Sequence, residues 1–290
     1  MSFILDTPMN PVNIFLRSSL STGLSTIEKN SLSFELNNPI FSYPNMDLIL
    51  SLKSFSFTNS FYTINENNCM FYYTYDNLTI NKFSLDKQNY SIDELISYLN
   101  LYFHDIFNFS YSSQKLKITI NSITTPKTPF RLVSTDSNNN CYELLGFDDY
   151  IEHTDFKTEY EAPYMFNMMG VQQLNICLTN INLDSITLKN TQKYNLIDSI
   201  QVTSGPGDTQ FYYNNIFKYK CSDSNISFIS VAIYDQDFNY INFNNIDWFM
   251  SLTFEHIYKK SLISSDYLSN QSEAIDLLNI LQKKQLLNEL

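Results

Sequence analysis

The stretch Asp47–Asn68, DLILSLKSFSFTNSFYTINENN, alternates apolar and polar residues and then runs into a corner of small polar side chains, and its reading decides the fold. Alternation with period two marks a β-strand with one buried face. Leu48, Leu50, Leu52 and Ser54 fall on one side, and Ile49, Ser51, Lys53, Phe55 and Phe57 on the other. The apolar side therefore changes near Ser54, which predicts a β-bulge or a corner there.

The same pattern extends in both directions. SLSFEL (31–36), CMFYYTY (69–75), LTINKFSL (78–85), KLKITINSI (115–123) and PFRLVS (129–134) carry β-branched and aromatic residues at strand spacing. After an acidic, aromatic connection over 149–170, strands resume at VQQLNICLTNI (171–181), SITLK (185–189), IDSIQVT (197–203), QFYYNNIFKYK (210–220), ISFISVAIYD (226–235), YINF (240–243) and DWFMSLTFEHIY (247–258). No helices alternate with these strands, so an antiparallel sandwich is expected rather than a parallel sheet. SGPG (204–207) reads as a tight turn.

One helix is expected over 91–107, where Ser91 and Glu94 stand at capping-box spacing and Ile92, Leu95, Ile96, Leu99, Phe103 and Ile106 recur at helical spacing. A second, amphipathic helix is expected in the C-terminal tail: Asn270 and Glu273 open it, and Ala274, Leu277, Leu278, Leu281 and Leu287 or Leu290 form its apolar stripe. It packs on its own domain or docks on a partner. Residues 1–28 read as an N-terminal arm. A first β lobe is expected over 29–160, a second over 161–260, and the helical tail over 261–290. The strands make either one roll with an insertion or two β lobes, and a faint echo between DLILSLKSFSFTNSF and VQQLNICLTNINLDSITL leans toward two lobes.

The chain has 290 residues, net charge −12, 17% charged residues and 16% aromatic residues. So many aromatics and so few charges indicate a folded chain whose polar surface comes from Asn, Ser, Thr and Gln. The acidic balance argues against counterion-driven nucleic-acid binding, and no sequence-specific nucleic-acid partner is expected. The few glycines leave no G-x-G-x-x-G or G-x-x-x-x-G-K phosphate loop. Cys69, Cys141, Cys177 and Cys221 form no C-x-x-C, which speaks against zinc and predicts buried free thiols. No apolar run is long enough to span a membrane.

Candidate chemistry is thin. His153 lies with Asp148, Asp149, Glu152 and Asp155, a carboxylate set that suits a divalent cation or, more simply, a solvated acidic loop. Asp235–Asn239, DQDFN, opens like a calcium loop, but Tyr240 and Ile246 stand where that loop needs Gly and Glu, so a hairpin turn is expected. His104 beside Asp105 on the helix and His256 in the last strand are expected at the surface. No His stands near a Cys or Ser as a base–nucleophile pair. The chain is therefore expected to have no catalytic, cofactor-binding or metal-binding residues and to be no enzyme.

The corner SFTNSFYTINENN (56–68) resembles one found in capsid proteins of virophages, polinton-like viruses and related large DNA viruses of the double-jelly-roll lineage. DKQNYSIDELISYLN is similar to their "GNYS" entry into a capped helix, with Lys87 and Gln88 where a glycine is usual. ELLGFDD is similar to their "LLGF" landmark at Leu144–Phe147, and IYDQDFNYINFNNIDWFMSLTF to their closing hairpin. The resemblance covers residues 30–258 and implies a jelly-roll virion protein. At this length it implies a minor capsid protein, the vertex (penton) subunit. It further implies assembly as a homopentamer, with the major capsid protein and other minor capsid proteins as partners, and residence in a virion assembled in the host cytoplasm or a virus factory. A receptor- or glycan-binding sandwich, such as a vertex spike or lectin-like module, is the alternative.

Overall fold

The computed structural model describes residues 10–22, 29–76, 78–133, 139–147, 155–184, 187–189, 192–214 and 216–259. The expected C-terminal helix, and His153 with Asp148, Asp149 and Glu152, lie outside them.

Chain order gives β1 (Val12–Arg17), β2 (Ser31–Phe41) and β3 (Met46–Thr58). There follow β4 (Met70–Thr74), β5 (Asn81–Ser84), α1 (Ile92–Tyr102), β6 (Phe107–Ser112), β7 (Lys117–Ser122), β8 (Arg131–Leu132), α2 (Tyr142–Leu145) and β9 (Glu159–Glu161). The last group is β10 (Gln173–Leu178), β11 (Thr187–Lys189), β12 (Gln192–Tyr194), β13 (Leu196–Gln201), β14 (Thr209–Tyr213), β15 (Tyr219–Cys221), β16 (Asn225–Tyr234) and β17 (Phe249–Tyr258).

The fold is all-β and antiparallel. One sheet runs β1-β17-β3-β14, with β15 also on β3, and the other runs β13-β10-β16-β2. With β14 and β15 taken as one interrupted strand, the first strand of the roll pairs with the last (β1 with β17), the second with the next to last (β2 with β16), and so inward to β10 with β13. That winding is a jelly-roll sandwich. It is one roll, and residues 59–172 are inserted between β3 and β10.

The bulge near Ser54 makes β3 a core strand along its whole length. Ser251 pairs with Ser54 and Leu252 with Leu52, so Lys53 is the extra residue. The added residue resets the alternation, and Leu48, Leu50, Leu52, Phe55 and Phe57 all enter one core. Leu252 and Phe254 of the neighbouring β17, with Trp248 just before it, join them, and Ile176 and Leu178 of β10 and Ile229 and Val231 of β16 fill it from the other sheet.

The insertion has its own core. Phe71, Leu95, Leu99, Phe103, Phe107, Phe109, Ile120, Phe130 and Tyr142 are buried together there. The corner after β3 hands the chain from one core to the other, since Phe61 belongs to the roll and Ile64 to the insertion. Its Asn residues replace ladder hydrogen bonds with side-chain ones. Asn68 Oδ1 accepts from the Asn65 N–H at 2.8 Å, and Asn65 Oδ1 accepts from the Asn67 N–H at 2.9 Å. Asn89, just before α1, accepts from the Thr63 N–H at 2.8 Å, so the helix entry packs back on the corner.

The lobes expected at 29–160 and 161–260 do not match how the strands sort. β2 and β3 pair with β16 and β17, and the inserted core takes what lies between. The expected arm also differs, because Val12–Arg17 is a strand of the first sheet. The helix ends at Tyr102 rather than 107: Phe107 and Phe109 alternate with Asn108 and Ser110, and that two-residue period wins as β6 against β7. YINF forms no strand; Tyr240 makes a single bridge to Tyr234, while Ile241 and Phe243 reach the roll core.

The local signals held where the chemistry is local. Ser91 and Glu94 make the reciprocal capping box. Ser91→Ala is expected to cost about 1 kcal/mol, read as a lower urea midpoint. SGPG turns with Pro206 second, Gly207 third at φ +85°, and the Asp208 N–H on the Gly205 carbonyl at 3.0 Å. LLGF is a Schellman cap, with the Phe147 N–H on the Tyr142 carbonyl at 2.8 Å and the Gly146 N–H on that of Glu143 at 3.1 Å. Gly146 has φ +84°, and a Cβ there would lie 2.5 Å from the Tyr164 carbonyl oxygen. Gly146→Ala is expected to cost at least about 1–2 kcal/mol from its left-handed backbone alone, with a lowered melting temperature as the readout.

Candidate functional site

Asp155 is the described member of the acidic set around His153, and its carbonyl accepts from the Tyr160 hydroxyl at 2.9 Å. Asp235–Asn239 is the expected turn. The Asp235 carboxylate accepts from the N–H groups of Asp237 and Asn239, each at 2.8 Å, so its oxygens serve the turn. Among the described residues no group of three or more His, Cys, Asp or Glu is placed to hold a metal ion. No described helix is long and apolar enough to cross a membrane.

His104 pairs with Asp105 at 2.9 Å, which adjacent residues on a helix could not do; the helix has already ended at Tyr102. His256 is partly exposed, with Nε2 at 2.8 Å from the Phe41 carbonyl. All four cysteines are buried free thiols, and burial pushes Cys177 and Cys221 up to about 12, away from nucleophilic use.

A shallow cleft opens where the insertion meets the roll. It is lined by Tyr62, Asn65, Asn67, Tyr240, Asn242 and Asn244 and has a volume of about 30 Å³. That is room for a water or two rather than for a buried small substrate.

The larger feature is the outer face of the β1-β17-β3-β14 sheet. The register sets Phe15, Ser251, Ser54 and Tyr213 in one row across it, and Arg17, Phe249, Ser56 and Phe211 in the next. The rings stand out from the sheet: Phe15 is 80% exposed, Tyr213 75%, Phe211 66% and Phe249 47%. Serines lie between them. Toward the other end of the same sheet the charges are paired, Lys218 with Glu255 at 2.6 Å and Lys220 with Asp47 at 2.8 Å.

An ion cluster that sequence reasoning missed holds β1 at the sheet edge. Asp247 takes Lys29 Nζ at 2.5 Å, Arg17 at 3.0 Å and the Ser18 hydroxyl at 2.9 Å. Ser18 Oγ accepts from the Trp248 N–H at 3.1 Å, and the Trp248 indole donates to the Lys29 carbonyl at 2.8 Å. Burial raises the Asp247 carboxyl, but hydrogen bonds from Lys29, Ser18, Ser19 and Arg17 outweigh it and hold the group far below the usual carboxylate range. Partners lie more than two hundred positions apart, so no local pattern announces them.

No protein-family model matches the chain, and no curated protein does. Solved structures similar to it include the mavirus penton protein, which is 11% identical, with a TM-score of 0.43 over 86% of this chain and 100% of that one. The fold assignment rests on the strand pairing itself.

Proposed function

We propose that the chain is a structural virion protein, a minor capsid subunit that closes icosahedral vertices by self-assembly as a homopentamer. The observation that carries this reading is the outer sheet face: an acidic chain of net charge −12 sets four exposed rings among serines on a rigid jelly roll. Interface cores are depleted in charge and enriched in aromatics and Arg. The capsid-like motifs of the sequence agree with it, and three of them sit at the corner, the helix entry and the Schellman cap around which the insertion is built. On this reading the partners are further copies, the major capsid protein and other minor capsid proteins. The chain acts without catalysis in a virion assembled in the host cytoplasm or a virus factory.

Negative-stain images of the purified protein are expected to show closed rings. Isolated single chains at every concentration would contradict the proposal. The second reading, a receptor- or glycan-binding module, is favoured by one observation: exposed Tyr62 and Tyr240 beside Asn-lined walls of the junction cleft, a chemistry suited to sugar hydroxyls. A glycan array decides it, with specific retention supporting a lectin role.

A further inference from the structure

Resting on the assembly reading, we infer that the ring-bearing half of the β1-β17-β3-β14 face docks on an acidic surface of a second copy of this chain, in a heterologous contact. The two rows hold Phe15, Phe249, Phe211 and Tyr213 with Ser54, Ser56 and Ser251 between them. β1 and β14 are the outer positions of this sheet path, so the rings reach from edge to edge. Three strand spacings make that span about 14 Å, which suits the centre of an interface rather than all of it.

Charge chooses the occupant. Neither row contains a carboxylate; Arg17 in one row is paired with Asp247 at 3.0 Å, but Asp247 is shared with Lys29, so that cluster keeps one net positive charge, and Lys53 stands at the bulge beside Ser54. The rest of the chain has to carry the acidic excess, 30 Asp and Glu against 18 Lys and Arg. A face with net positive charge on so acidic a body attracts the body of another copy. Turning the same face on itself would set its net positive charge against its own kind. An isologous contact is therefore disfavoured, and a head-to-tail one, which closes rings when the rotation allows, is favoured.

The strands themselves also suit this use. The rings are borne by strands with a rigid core beneath, so little ordering entropy opposes docking.

Hydroxyl-radical footprinting of the wild-type protein tests this without any substitution. Phe15, Phe211, Tyr213 and Phe249 are expected to label strongly in dilute protein and to lose that labelling as it assembles. Equal labelling in both states would overturn the inference while leaving assembly intact. Protection already present in the single chain would also overturn it, because the chain's own terminal residues would then cover the face. Phe211→Asp combined with Tyr213→Asp is expected to leave the melting temperature unchanged and to return the mass to that of one chain, 33.9 kDa. A doubly substituted protein that still assembles would overturn the inference alone. Wild-type protein that stays a single chain at every concentration would overturn the assembly reading and the inference with it. Raising salt is expected to weaken assembly, since it screens the attraction.

Discussion

Asp247→Ala is expected to destabilise the roll by about 3–5 kcal/mol, because removing one partner of a buried ion pair strands the other. The stranded group is Lys29, whose side chain is only 7% exposed while that of Asp247 is 19% exposed. Arg17 loses its partner too, and with it the tie between β1 and the loop before β17. The loss is read as a shift in the urea midpoint. The pH dependence has a definite sign. The folded-state carboxyl of Asp247 lies far below its unfolded value. Its contribution is therefore complete above about pH 4 and drains away as pH falls below that. Asp247→Asn, which keeps the shape, is expected to differ most from wild type near neutrality and progressively less toward acid. A gap that stays constant down to low pH would show that the carboxylate's charge is not what holds β1.

Phe71→Ala is expected to cost about 3–5 kcal/mol, and the loss should fall on the insertion. Phe71 is fully buried, with edge-on contacts to Phe103, Phe107, Phe109 and Tyr142 at centroid distances of 5.6, 6.5, 5.9 and 6.0 Å. The residue closest to the roll's ion cluster supplies the probe. Trp248 is the one tryptophan, and it lies in the roll core against Phe34 and Phe55. Its fluorescence therefore follows the roll, whereas near-ultraviolet tyrosine dichroism follows both cores. In the variant the dichroism transition is expected to move to lower urea while the fluorescence transition moves less. Transitions that shift together would mean that the corner at 59–68 welds the two cores into one cooperative unit.

Much of this architecture was legible because its causes are local. The bulge is written in β3 as a change of apolar side, the helix start as Ser91 and Glu94, the tight turn as Pro206-Gly207, and the Schellman cap as LLGF. Elements read less well where two local signals compete. Phe103 and Ile106 continue the helical spacing of α1, and this masked the alternation that begins β6 at Phe107. β1 was hidden for the opposite reason: it is an edge strand with Asn13, Phe15 and Arg17 outward, and so lacks a strong apolar face. The lobe boundary near 160 failed because pairing partners are distant. Ser54 meets Ser251, and Phe34 meets Ile229, so the strands before the insertion belong with those after it.

The candidate surface was legible in kind and hidden in place. Composition announces rings and uncharged polar groups, the makings of an interface core. It does not say which ring of an alternating strand faces out. In β14, Phe211 and Tyr213 point outward while Tyr212 packs against the core and donates to Asp198 at 2.9 Å. Three aromatics in a row leave the choice of face to the partner strand, and the partner is β3, some 150 positions earlier in the chain.

The central claim is that this roll exists to meet copies of itself. Light scattering across a range of protein concentrations tests it most directly. The account predicts one assembled species with a mass five times that of the 33.9 kDa chain, dissociating on dilution or in high salt. A mass equal to a single chain at every concentration and at low salt would contradict it.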